Sequence, residues 1–175
     1  MEIMQEIYDP GFPSKGFPSK IREASRIIAV DSTGSIGLIY STKLDYYKLP
    51  GGGIEKGETK EEALIRETME EIGCEVKIEG FIGQINEYRS AKNFGYNFNQ
   101  KQISYCYWGK VISKGHALNL SQKELDEGFE TVWLPLNEAL KSLEKKSKKN
   151  IIKIPFINKR DRAFLKKFKE ETNYS

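Results

Sequence analysis

Apolar residues recur along this chain in short runs of changing period, and the period of each run predicts an element. SRIIAVDSTGSIGLIYST (25–42) places two apolar runs on either side of a polar segment, which predicts two short strands around a turn at Asp31–Ser35. YYKLPGGG (46–53) reads as a third strand ending in a glycine-rich turn. From Lys60 to Ile72 the pattern becomes helical. Thr59 and Glu62 form an S/T-x-x-E capping box at the start, and Gly73 supplies a C-terminal stop. CEVKIEGFIGQINEY (74–88) and the alternating QISYCYWGKVI (102–112) read as strands, separated by RSAKNFGYNFNQ as a loop.

Beyond these, SKGHALNLSQKELDEGF (113–129) is polar and reads as a long connection, followed by a strand in ETVWLPL and a helix starting at NEALKSL. A lysine-rich link then leads to a final helix in PFINKRDRAFLKKFKEE (155–171). Before all of this, GFPSKGFPSK (11–20) is a tandem five-residue repeat too short for a solenoid. We read residues 1–20 as an N-terminal arm and 21–175 as one domain. Strands mixed with a few helices, without regular βαβ alternation, predict an α+β fold with a mixed sheet.

With 38% hydrophobic and 30% charged residues, the 175-residue chain has the composition of a soluble globular domain. No apolar run reaches the roughly 18 residues of a membrane span, and MEIMQEIYDP has no signal-peptide core, so a cytoplasmic protein is expected. Cys74 and Cys106 are read as buried thiols. Charge is uneven: residues 141–175 carry twelve Lys/Arg against four Asp/Glu. Those cations are interleaved with Ala163, Phe164, Leu165 and Phe168 at helical spacing, so a solvated helix face is expected rather than a nucleic-acid site.

The chemistry concentrates in the first helix. At roughly 100° per residue, Glu67, Glu70 and Glu71 fall within an arc of about 100°, near the end where the helix dipole is already negative. Leu64, Ile65, Thr68, Met69 and Ile72 occupy the other side, where they can face a core, and Ala63 leaves room among the acids. An oxygen-rich patch on a helix fixed from behind suits a hard divalent cation, which would offset both the repulsion and the dipole penalty.

Residues 52–74 fit G-x5-E-x7-R-E-U-x-E-E-x-G-U through Gly52, Glu58, Arg66, Glu67, Glu70, Glu71 and Gly73, with Thr68 and Cys74 where aliphatic residues are usual. This resembles the Nudix box, and the chain is similar to Nudix hydrolases. YYKLPGGG and FETVWLPLNEAL extend the likeness more loosely. The resemblance implies an α/β/α sandwich with a mixed β-sheet, and a hydrolase that uses Mg²⁺ or Mn²⁺ to cleave a nucleoside diphosphate linked to another group.

By position, it further implies that Glu67 and Glu71 are the principal metal ligands. Glu70 would be a further ligand or the base, and the Gly51 carbonyl another metal contact. Glu58 and Arg66 would brace the loop against the helix. The resemblance also implies a general base, either Glu70 or a glutamate of SQKELDEGFE, where Glu127 is preferred over Glu124 and Glu130 because Gly128 lets the loop bend inward.

Substrate candidates are Tyr46, Tyr47, Tyr88, Phe94, Tyr96 and Phe98 for stacking on a base. For phosphates they are Arg22, Arg26 and Arg89, and from both sets Arg22, Tyr46, Tyr88 and Arg89 are singled out. His116 is read as an exposed loop residue. Nucleoside triphosphates lead nucleotide sugars, ADP-ribose and dinucleotides as expected substrates. A nucleotide-sensing binding protein on the same fold is the alternative of another class. The arm is a candidate for homodimer contact.

Overall fold

The computed structural model describes residues 3–145, 151–172 and 174. The lysine-rich link at 146–150 lies outside the described residues. Seven strands form one mixed sheet: β1 (Ile3–Tyr8), β2 (Ser19–Val30), β3 (Ile36–Ser41), β4 (Tyr46–Lys48), β5 (Cys74–Arg89), β6 (Asn99–Lys114) and β7 (Phe129–Leu134). Their order is β1-β5-β6-β2-β3-β4, with β7 also paired to β3. The β1–β5 and β2–β6 pairs are parallel, and the others antiparallel.

Helix α1 (Lys60–Ile72) packs on one face, and α4 (Leu136–Ser142) and α5 (Lys153–Glu171) on the other. The period of two along β2 serves both layers: Ile27 and Ala29 join Leu64 and Ile72 of α1, while Ile28 and Val30 join Phe164, Leu165 and Phe168 of α5. This is an α/β/α sandwich. Among the described residues no helix is long and apolar enough to cross a membrane.

Several boundaries differ from the sequence reading. Residues 3–8, expected in an arm, are an edge strand paired in register with β5 from Gln5↔Ile85 to Tyr8↔Tyr88. The β2 strand begins at Ser19 because its first half pairs with β6 all the way from Ser19↔Asn99. With β3 it pairs only at Val30↔Ile36. Residues expected as loop hold a short helix α2 (Ala91–Phe94), capped by Ser90. The polar connection contains α3 (Gln122–Glu127), closed by a Ser121/Glu124 capping box and by Gly128 in the left-handed region. Both cysteines are buried and free.

In α1 the Thr59/Glu62 capping box is formed, and Gly73 ends the helix at φ 60°. Ala63, Leu64, Thr68 and Ile72 are buried, and so is Glu71. Ile65, expected to face the core, is exposed at 45%. A helix lying on a sheet hides only a stripe, and Ile65 falls at its solvent edge.

Candidate active site

The chain from Pro50 to Ile54 lies along the edge of β2 where β3 has splayed away. Ile27 N–H donates to Pro50 O, Ser25 N–H to Gly52 O, and Ile54 N–H to Glu23 O. Only glycine fits at the centre of this track. Gly51 stands at φ 126°, and a Cβ there would collide with the Ser25 carbonyl. A Cβ on Gly52 would fall on the Glu67 carboxylate. The glycines therefore let a backbone turn approach the acids of α1.

Glu71 is 3% exposed. It accepts from Gly51 N–H at 2.6 Å and from Lys48 Nζ at 2.7 Å. Glu67 lies against Gly52, where desolvation and the Glu71 charge raise its pKa above the usual carboxylate value.

Arg66 holds the rest of the group together. Its Nε and one terminal nitrogen grip Glu58 at 2.6 and 3.0 Å, and that terminal nitrogen also donates to Gly53 O at 3.1 Å. Its other terminal nitrogen bridges Glu67 at 3.0 Å and Glu70 at 3.1 Å. This grip holds the Glu58 carboxyl down at about 2. The repulsion inferred from the sequence is thus offset in part by Arg66 and Lys48.

Among the described residues, no three His, Cys, Asp or Glu side chains converge closely enough to hold a metal ion. Two carboxylates do meet at the glycine turn, Glu67 and Glu71, and Glu70 is one Arg66 nitrogen away. The all-oxygen donor set and the glycine cradle fit a hard divalent ion, which would have to displace the Lys48 ammonium from Glu71.

Lys48 leads to the second part of the site. On β4, Tyr46 and Lys48 share a face: Lys48 reaches Glu71, and the Tyr46 hydroxyl donates to Glu127 at 3.2 Å. Glu127 is also paired with Lys153 Nζ at 2.6 Å. Burial, with the Glu127 charge, raises the Tyr46 pKa strongly. These residues border a cleft of about 300 Å³ between the sheet and α5.

Its floor is the polar end of the face that carries the α5 core. Arg22 and Arg26 precede Ile28 in β2, Arg89 follows Ile85 in β5, and Gln100 and Gln102 precede Cys106 in β6, with the fully buried Glu87 beneath them. Arg22 donates to Gln102 at 2.9 Å, and Arg89 pairs with Glu87 at 2.8 Å. From α5 comes Arg160, which pairs with Asp161 at 2.7 Å and Glu87 at 3.2 Å, all three nearly sealed from solvent. Asp161 in turn accepts from Leu49 N–H at 2.9 Å, tying the helix to the strand that leads into the glycine turn.

The structure therefore gathers Glu58, Arg66, Glu67, Glu70, Glu71 and Gly51 at one end, with Glu127, Tyr46, Arg22 and Arg89 around the adjoining cleft. Tyr88 is elsewhere: it stacks on Tyr8 at 4.3 Å and donates to Glu6, both on β1. Tyr46 is 2% exposed and offers no ring face to a base. Of the remaining aromatics proposed for stacking, Tyr96 lines the cleft. Phe98 stacks on Tyr96, and Phe94 packs edge-on to Phe156. His116 is exposed.

Sequence reasoning missed Lys48, Lys153 and Arg160. A signal for Arg160 existed, because Ile157, Arg160, Asp161, Phe164, Leu165 and Phe168 share one helical stripe, so the two charges occupy core positions.

A family profile described as the NUDIX domain matches residues 20–154. A bovine protein named diphosphoinositol polyphosphate phosphohydrolase 3-beta is 28% identical over 138 residues, spanning 78% of this chain and 73% of its own. Among solved structures, a MutT protein from Methanosarcina mazei superposes with a TM-score of 0.57 at 19% identity, covering 91% of this chain and 99% of that one. A NUDIX hydrolase from Nitrosomonas europaea gives 0.57 at 16% identity over 82% and 91%. These likenesses carry the fold, and the profile match carries the family. The chain with this acid-lined glycine turn belongs to the Nudix family and is a Nudix-type hydrolase acting on pyrophosphate bonds.

Proposed function

We propose that this protein hydrolyses the diphosphate of a nucleoside diphosphate derivative with Mg²⁺ or Mn²⁺ held by Glu67, Glu71 and the Gly51 carbonyl, and with Glu70 completing the set. The observation that carries this reading is the meeting of Glu67 and Glu71 at a turn that only glycine can form. Such an ion neutralises phosphoryl oxygens and acidifies a water.

The chain's own residues supply the rest. Glu58 and Arg66 fix the glycine turn against α1, so the acids are in place before substrate arrives. Lys48 is a cation between the acids and the cleft, positioned to bind a phosphoryl oxygen when it leaves Glu71. Glu127 takes the proton of the attacking water. It borders the cleft from α3, away from the acids of α1, and Tyr46 and Lys153 orient its carboxylate. Glu70 is the alternative base, although it is engaged with Arg66.

A second reading puts the diphosphate on a phosphorylated polyol, as the name of the bovine relative describes. The excess of cations over carboxylates around the cleft favours it.

A phosphate-release screen over nucleoside triphosphates, nucleotide sugars, dinucleotides and diphosphorylated polyols, with Mg²⁺ or with chelator, tests the proposal. Metal-dependent release from at least one class is expected. The same metal should raise the melting midpoint, because the acids are preorganised only in the native state. At one hundred times Kd the gain is about 2.7 kcal/mol, roughly 5–10 °C for a domain of this size. Equal release with chelator, and a midpoint indifferent to millimolar metal, would reject it.

A further inference from the structure

The cleft holds an arginine that the reaction as described does not use. Arg26 is 6% exposed, and its Nε is buried without a hydrogen-bond partner among the described residues. Among the described residues no carboxylate pairs with it, whereas the other buried arginines of the cleft, Arg89 and Arg160, are each engaged by Glu87. Among the described residues Arg22 donates to the neutral Gln102 and to no carboxylate.

These four guanidiniums crowd one another. Desolvation and the Arg160 charge push Arg26 down to about 10, and Arg22 is lowered by burial and by Arg89 and Arg160. A buried, unpaired cation among like charges is costly, and a purely packing role would be filled better by an apolar side chain. Two carboxylates, Glu87 and Asp161, are already ion-paired with Arg89 and Arg160, which leaves Arg22 and Arg26 with no ion pair of their own among the described residues.

The two arginines without an ion pair also have a definite placement. They lie four residues apart on one face of β2. Arg22 reaches toward Gly53 of the glycine turn, and Arg26 feels the charges of both Arg22 and the Arg160–Asp161 pair. The cleft therefore continues from the diphosphate end of the site into a pocket where cations outnumber carboxylates.

We propose that Arg26 and Arg22 form a subsite for a phosphoryl group of the substrate that is not cleaved, with Arg160, brought by α5, as the third cation. This rests on the reading of the site as a diphosphate hydrolase. The preferred substrate then carries a phosphate beyond the scissile diphosphate, on a ribose, a polyphosphate chain or a polyol ring. Nearly all of α5 lies past the matched family region, so this chain's C-terminal helix contributes to substrate choice.

Matched pairs differing by one phosphate distinguish the sources: NADPH against NADH, a nucleoside tetraphosphate against the triphosphate, and a diphosphorylated polyol with and without a ring phosphate. For at least one pair the wild type should favour the extra phosphate by about tenfold or more in kcat/KM. Arg26→Met should bring that ratio toward one, and Arg26→Lys should keep part of it. In chelator, inorganic phosphate should raise the melting midpoint of wild type and not of Arg26→Met.

The variant itself should melt no lower than wild type, because it removes an unpaired buried charge. Ratios near one in the wild type, or a ratio unchanged in Arg26→Met, would overturn the subsite while leaving the hydrolase reading intact. Phosphate stabilisation that depends on Arg26, without turnover of any pair, would uphold the subsite and count against the hydrolase reading.

Discussion

Glu71 is the most enclosed of the three helix acids, and two donors depend on it. From the sequence alone, replacing it would relieve repulsion and leave stability equal or higher. The structure reverses that expectation, because Lys48 Nζ and Gly51 N–H both donate to its carboxylate. Glu71→Gln leaves one amide oxygen for two donors, one buried and one partly buried, so we expect a loss of about 1–3 kcal/mol in stability. Turnover should fall by roughly 10²–10³-fold, as when one preorganised electrostatic group is removed. Thermal melts and steady-state rates check the pair, and a variant as active as wild type would remove Glu71 from the site. For the general base, Glu127→Gln should cut turnover strongly and leave metal stabilisation intact. If Glu70 is the base instead, Glu127→Gln should be nearly silent, and Glu70→Gln should lose rate with part of its metal affinity.

At the scale of elements, the turn between β2 and β3 and the stripe of α5 show how local chemistry serves the sheet. Asp31 Oδ1 accepts from Thr33 N–H and Ser35 N–H at 2.9 Å each, and Lys114 of β6 donates to Oδ2 at 2.6 Å. Burial opposes the charge, but these donors outweigh it and hold Asp31 at about 2, below its ordinary 3.8. A depressed carboxylate stabilises the fold fully above its unfolded value, and the contribution is lost as pH falls through the folded one. We therefore expect the Asp31 contribution to disappear between about pH 4 and pH 2. Acid unfolding of wild type and Asp31→Asn, followed by circular dichroism, should differ above that window and converge at its lower end. Curves separated by a constant amount down to pH 2 would contradict the assignment. In α5 the same stripe that buries Phe164 and Phe168 carries Arg160 and Asp161 into the sheet, where Glu87 and Leu49 N–H meet them.

Across the whole molecule, one face of the sheet is divided along its strands. Toward Ile28, Ile85 and Cys106 it is an apolar floor for α5, and toward Arg22, Arg89 and Gln102 it is the polar floor of a cleft. The opposite face is occupied by α1, so the acids of that helix stand at the sheet edge where the glycine turn replaces a strand. The site is thus a meeting of both layers, with Lys48 and Tyr46 of β4 joining α1 to α3.

By itself the sequence determined what depends on near neighbours. Thr59 and Glu62, the αL stop at Gly73, the Glu58–Arg66–Glu70 spacing and the strand periods are contacts within a few turns, and fixed spacing alone places them. It also identified the family, since seven positions of the box lie within 23 consecutive residues. Only the tertiary structure decided which cations the acids and the cleft would have. Lys48 meets Glu71 across 23 positions, Lys153 meets Glu127 across 26, and Arg160 meets Glu87 across 73. A lysine or arginine reads the same in sequence whether it faces water or a buried carboxylate. The physical difference is desolvation, and desolvation is set by how sheet and helices close over one another.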